Sequence, residues 1–325
     1  MSVNYSFTPF YKIVTVSLQS IVDGDCSMST IASIDLTQYI GATIGTVTLV
    51  KLLGQGAMGA VFIGYQATLK RQVAVKILPK SLASSARAQQ MFRDEAETVG
   101  ILAHPNIVPV YEMGEASDFF FQVMQLVAGH DLRTIIVKAR KHPVPTKRTL
   151  PVLETIQYIC QILDALGYAH EEGVFHQDIK PANILIDDRF KRPLVADFGI
   201  ARTVWAEYSS TPALFGTPLY MSPEQASRAA VDGRTDIYSV GVILMEMTAG
   251  VLPTHKEPLA DMIKRKRSEP DTFFTARPSE INPSIHRELE AIILKAMAAS
   301  PNNRFADCLE FKRVLEAYVR KSGLN

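Results

Sequence analysis

Gly54-Gln55-Gly56-Ala57-Met58-Gly59-Ala60-Val61 lies between two stretches with strand character, residues 46–53 and 60–66. Three glycines at this spacing let a backbone fold closely over phosphate groups and turn its N–H groups toward them. The dinucleotide-binding turn shares the pattern, but it passes from a strand into a helix. Here the chain passes from strand to strand, so the glycines belong to a hairpin of an antiparallel sheet. Alternating β-branched residues on both sides support that reading.

Val73-Ala74-Val75-Lys76 follows on a third strand, residues 72–77. A lysine ending an apolar strand either snorkels to the surface or aims its cation into a cleft. Next to a phosphate-cradling hairpin, the second reading is favoured. Such a cation needs a carboxylate to hold it, and Glu95 on the following helix, residues 86–102, has the right position. Glu97 points elsewhere on that helix. His104-Pro105-Asn106 stops the helix, and residues 119–126 form a last strand before a linker at Ala128-Gly129.

Beyond the linker the periodicity becomes helical. Ile156, Ile159, Cys160, Leu163 and Leu166 line one face of a helix ending near Gly173. Further helical periods cover residues 236–249, 284–299 and 306–321. Residues 138–148 read as a basic, solvated loop. A sheet-rich half followed by a larger helical half predicts an α+β fold of two lobes with a cleft between them.

Composition narrows the function classes. A formal charge of +1 over 325 residues does not support nucleic-acid binding. Cys26, Cys160 and Cys308 lie too far apart for a metal-ligand pair, and a reducing cytosol suits them. No stretch reaches the roughly 18–20 apolar residues that cross a bilayer. The most apolar run, residues 237–247, is short, contains Glu246 and reads as a buried helix. The N-terminus lacks a secretory layout, so a cytoplasmic location is expected. Residues 1–45 form an N-terminal extension to which no role is assigned.

The second half carries His176-Gln177-Asp178-Ile179-Lys180-Pro181-Ala182-Asn183, then Asp197-Phe198-Gly199, then Ser222-Pro223-Glu224-Gln225-Ala226. With the glycine hairpin and Lys76, these segments resemble the protein-kinase superfamily over about residues 46–320. The last segment is similar to its bacterial eukaryotic-like serine/threonine branch. The resemblance implies the two-lobed kinase fold over residues 46–321: an antiparallel-sheet N-lobe with one main helix, 46–127, and a mainly helical C-lobe, 128–321.

It also implies a site. Asp178 resembles the catalytic base, and Lys180 the cation that neutralises the transferring phosphoryl group. Lys76, held by Glu95, would position the other phosphates. Leu53, Gly54, Gln55, Gly56, Ala57, Met58 and Gly59 would cover the nucleotide. Val61, Ala74 and Leu185 would sandwich adenine, with Met124 at the back of the pocket and the hinge at Gln125 and Val127. Asp131 would meet the ribose hydroxyls. Asn183 and Asp197 resemble ligands of Mg²⁺, so ATP with Mg²⁺ and protein substrates are implied. Lys180 and the threonine of Gly216-Thr217-Pro218 point to serine or threonine acceptors.

Other prominent residues are expected to be structural. His176 should pack beneath the site, Asp236 should cap the catalytic-loop backbone, and Glu224 with Arg304 should form a buried ion pair. The competing readings are a scaffold without catalysis and a small-molecule phosphotransferase. Gln177 stands where most of the family has an arginine that pairs with a phosphate on the activation segment. Phosphorylation at Ser209 or Thr211 is therefore expected to add little activity.

Overall fold

A computed structural model describes residues 36–56, 59–80, 99–198 and 218–324. Its first half is a six-stranded antiparallel sheet. The strands are β1 (Thr43–Ile44), β2 (Val47–Gly56), β3 (Gly59–Gln66), β4 (Arg71–Pro79), β5 (Val110–Glu115) and β6 (Phe119–Gln125). They lie in the order β1-β2-β3-β4-β6-β5. Alternation puts Val47, Leu49, Phe62, Val73, Val75, Ile77, Phe121 and Val123 in one buried cluster. Gly64 is needed there because a Cβ would lie 2.3 Å from the Val47 side chain and 2.9 Å from that of Val75.

Leu36 and Ile44 belong to the same cluster, and Thr43 pairs with Thr48. Residues 36–45, expected as part of a separate extension, are therefore continuous with the sheet. Residues 1–35 and most of the expected helix at 86–102 lie outside the described residues. Sequence periodicity missed β5, an edge strand whose residues are nearly all only half-buried or exposed.

A small second sheet follows, made of β7 (Gly129–Asp131), β8 (Ile184–Asp187) and β9 (Pro193–Val195). The same half contains helices α1 (Leu132–Arg140), α2 (Val152–Glu171), α3 (Pro223–Ala226), α4 (Arg234–Ala249), α5 (Leu259–Ser268), α6 (Pro278–Ile281), α7 (Arg287–Ala296) and α8 (Cys308–Ser322), and the sheet packs against α1 and α2. Ile156, Ile159, Leu163 and Leu166 of α2 are buried as their spacing predicts. Lys138 and Arg140, expected in a loop, form the last turn of α1, where cations oppose the negative helix end. The sequence also did not mark α5, whose one buried residue is a lysine.

Helix α4 is the centre of the second half. Every residue from Thr235 to Ala249 is buried. A helix apolar nearly all round belongs inside a protein. Glu246, the charge that interrupts its apolar run, is met by Arg140 and by the Tyr220 hydroxyl. No helix among the described residues is long and apolar enough to cross a membrane.

Glu224 and Arg304 form the expected buried pair, bidentate at 2.7 and 2.8 Å. Arg304 also donates to the carbonyls of Arg234, Ala298 and Ala299, while Thr235 Oγ1 donates to Glu224. Burial alone would raise the Glu224 pKa, but Arg304 holds it below its ordinary 4.5. The contribution of this pair is thus present above about pH 4.5 and lost as pH falls through the lower folded value. Arg304→Met should cost about 3–5 kcal/mol because it strands a buried carboxylate. Denaturant unfolding at pH 7 and pH 4 should show the largest loss at pH 7, where the parent pair is fully charged.

Candidate active site

The hairpin between β2 and β3 places the glycines at one edge of the cleft. Gly54 pairs with Val61, Gln55 with Ala60 and Gly56 with Gly59, and the register slips around Leu53. Gly59 has φ +142°, and a Cβ there would lie 2.0 Å from the Ile77 carbonyl oxygen, so no other residue fits. Ala57 and Met58 lie outside the described residues.

Beneath the hairpin, Ala74 faces Met124 across the β4–β6 ladder. Both belong to a buried apolar cluster with Val127 and Leu185, and Val61 packs against it. Five residues from distant parts of the chain thus meet where the sequence placed an adenine pocket. Val108, Leu194 and Ala196 complete the cluster. Sequence reasoning missed these three, since each reads as ordinary core until the second sheet closes under the first. At the hinge, the Gln125 N–H donates to the Pro109 carbonyl.

Lys76 lies opposite Val61 on β4, and its Nζ reaches Asp197 Oδ1 at 2.7 Å. Glu95, its expected partner, lies outside the described residues. Burial tends to raise the Asp197 pKa, but Lys76, with Lys180 and His176 farther off, holds the carboxyl below its usual range. Asp197 sits at φ +58° and Gln177 at φ +60°, left-handed conformations that cost energy for residues with side chains.

Asp178 is the focus of the loop between them. Lys180 Nζ donates to its Oδ2 at 2.7 Å, and Asn183 Nδ2 donates to its backbone oxygen at 2.9 Å and to Oδ2 at 3.2 Å. With Nδ2 so engaged, Oδ1 is the Asn183 atom left for a cation. Asn183 and Asp197 thus present hard oxygens. Mg²⁺ suits such a pair because it usually takes its other ligands from phosphate and water. Among the described residues, no group of three or more His, Cys, Asp or Glu could hold a metal unaided.

The loop is held from below. Asp236, fully buried, accepts from the His176 N–H at 2.9 Å, the Gln177 N–H at 2.7 Å and His170 Nε2 at 2.8 Å. His176 receives the Asp178 N–H on Nδ1 and meets the Ala196 carbonyl through Nε2. It packs at 4.6 Å from the Phe198 ring. Both residues are structural, as expected.

Asp131 departs from its expected role. It is 2% exposed, and its two oxygens accept from the Thr134 N–H at 2.7 Å and the Thr134 hydroxyl at 3.0 Å. The carboxylate that was expected at a ribose is spent as the N-cap of α1. A short acidic side chain just before a helix satisfies its first N–H groups, and that use buries it.

The chain matches the family model described as the protein kinase domain over residues 47–317. It belongs to the protein kinase family. This kinase-family chain is 36% identical over 296 residues to the serine/threonine-protein kinase pkn3 of Myxococcus xanthus, covering 87% of itself and 52% of that protein. It is 36% identical over 268 residues to the serine/threonine-protein kinase PknB of Mycobacterium leprae, covering 80% of itself and 41% of that protein. It therefore spans about half or less of these curated relatives. The crystal structure of the Mycobacterium tuberculosis PknI kinase domain superposes with a TM-score of 0.68 at 29% identity, covering 86% of this chain and 98% of that one. The family's substrate is ATP with Mg²⁺.

Asp131→Ala tests the reassignment of that residue. Loss of the cap should cost about 0.5–2 kcal/mol in unfolding free energy. The affinity for ATP, read by titration, should stay at the parent value.

Proposed function

We propose that this chain transfers the γ-phosphate of ATP to serine or threonine hydroxyls of proteins, itself among them. The observation that carries the reading is the convergence of Lys76, Asp178, Lys180, Asn183 and Asp197 beside one apolar pocket. In the reaction, Asp178 accepts the proton of the attacking hydroxyl. Lys180, 2.7 Å from that carboxylate, meets the charge that grows on the transferring group. Lys76 positions the remaining phosphates, and the glycine hairpin covers them with backbone N–H groups. Asn183 and Asp197 would hold Mg²⁺, which would supply charge neutralisation to the phosphates. Adenine lies between Val61 and Ala74 above and Leu185 below, with Met124 behind it. Catalysis of this kind works by positioning and by fixed charge in a site sheltered from water.

Several lines support the reading. The family match spans both halves of the site, and the named relatives are serine/threonine-protein kinases. No observation favours a scaffold without catalysis. The expected cytoplasmic setting is part of the proposal and rests on composition.

Transfer of radiolabelled phosphate from ATP to a generic basic protein, with small alcohols in parallel, tests the activity. Asp178→Asn should lower turnover by about 10²–10⁴-fold while the melting temperature stays near the parent value. Near-parental turnover would remove Asp178 as the base. ATP with Mg²⁺ should raise the melting temperature, since a ligand of the folded state stabilises it. Asp197→Ala should abolish the Mg²⁺-dependent part of that rise.

Regulation is tested separately. Ser209 and Thr211 lie outside the described residues, but Gln177 is a neutral residue beneath the site. Phosphatase treatment should change turnover by less than about tenfold, which is 1.4 kcal/mol in barrier. Gln177→Arg should make the enzyme more dependent on phosphorylation.

A further inference from the structure

Lys266 is the one buried residue of α5 and is wholly inaccessible to solvent. Its Nζ lies 3.9 Å from the ring centre of Phe273, 4.9 Å from that of Tyr238 and 5.4 Å from that of Phe274. Two carbonyls close the box. Nζ donates to Leu219 O at 2.7 Å and to Pro218 O at 3.1 Å. Among the described residues its hydrogen bonds go to backbone carbonyls and to no carboxylate.

Burying a lysine is costly, and an apolar side chain of equal length would fill an aromatic box at no such cost. Burial holds the Lys266 ammonium well below the usual lysine range, Arg304 adds to that effect and Glu224 opposes it. A neutral amine still has two N–H groups, enough for both carbonyls. What lysine provides here and methionine would not is therefore a pair of donors for Pro218 and Leu219.

Those carbonyls begin a run of anchored residues. The Tyr220 carbonyl accepts from Ser239 Oγ at 2.8 Å, Ser222 and Gln225 form a reciprocal cap, and Glu224 meets Arg304. Tyr220 is tied to α4, Glu224 to α4 and Arg304, and Ser222 within α3, whereas the Leu219 carbonyl is tied by Lys266 and the Pro218 carbonyl by Lys266 together with the Met221 N–H. The Lys266 clamp is the one nearest in sequence to Thr217. The Tyr238 ring links the two ends of the run, with the Arg304 guanidinium 4.9 Å from its centre as well.

We propose that Lys266 is a positioning residue for protein substrates: from within α5 it holds the Pro218 and Leu219 carbonyls, and with them the segment against which the acceptor stretch of a substrate lies. The inference rests on the kinase reading and extends it to a residue far in sequence from every catalytic motif. None of these groups belongs to the apolar cluster or to the charged residues proposed to meet ATP, so the clamp is expected to act on the protein substrate alone.

Lys266→Met keeps the length and apolar contacts of the side chain and removes both donors. Steady-state kinetics with ATP and a protein substrate should show a loss of about tenfold or more in kcat/KM for the protein, because the Leu219 carbonyl loses its lysine donor and the Pro218 carbonyl keeps only the Met221 N–H. KM for ATP should be unchanged and the melting temperature should not fall. Amide exchange in peptides spanning residues 218–222 should quicken, while exchange in α4 stays the same. Unchanged kinetics toward the protein would overturn the proposal. So would a variant that fails to fold, or one that loses ATP affinity in parallel, since either would make Lys266 a general support of the core. If the parent transfers no phosphate to any protein, the proposed activity itself fails. The exchange comparison still reports separately whether Lys266 holds the segment.

Discussion

The carboxylate of Asp236, at the start of a helix buried on every side, accepts hydrogen bonds from two successive backbone N–H groups of the loop before Asp178 and from His170. The rest of the site depends on this contact. Gln177 takes a left-handed backbone conformation, which an unsupported loop would relax. With His176 and Gln177 fixed from below, Asp178 is presented to the cleft, and Lys180 and Asn183 organise around it. Burial would favour the neutral form of Asp236, yet His170 and the backbone donors hold its pKa below the ordinary carboxylate value. Its support is thus present above that value and fades only in stronger acid.

A second layer of constraint comes from how charges are grouped. Lys76 reaches Asp197 from a sheet, Asp178 and Asn183 come from a loop, and no one element could bring them together. The glycine hairpin and β4 supply one wall, and the β8–β9 sheet supplies the other. Apolar residues fill the space between, so the charged groups lie at the border of a buried apolar cluster and are themselves only partly exposed. Fixed charges are worth more in such a setting than in open solvent. Polar clamps also hold residues 218–224 to α4, to α5 and to Arg304, and each pairs a buried donor with a backbone carbonyl or a carboxylate.

Much of this was legible before any coordinates. The strand–glycine–strand context placed the hairpin, alternation placed β2, β3 and β4, and helical spacing placed α2, α4, α7 and α8. Val61, Ala74, Met124, Val127 and Leu185 were assigned to one pocket by register with motifs, and they do form one cluster. Failures follow a pattern. Strand β5 is an edge strand without clear alternation, α5 is a basic helix whose apolar stripe is only Leu259, Met262 and Ile263 before a lysine takes the next place, and residues 36–45 contribute too few residues to show a period. Asp131 was misread because an aspartate near a cleft and an aspartate capping a helix look the same in a sequence.

The amino-acid sequence by itself determined the fold class, the family and the chemical identity of the groups in the cleft, because motif spacing and periodicity are local properties of a chain. Tertiary structure alone decided that Lys76 meets Asp197 and that His170 meets Asp236, whereas the Arg304–Glu224 pair was already legible through the family motifs. Tertiary structure also decided that Lys266, in the basic run from Lys264 to Arg267, lies inside an aromatic box against Pro218 and Leu219. The physical reason is distance along the chain. Partners separated by tens of residues are chosen by packing of the whole core, and only after that packing does a charge become buried or a carbonyl need a donor.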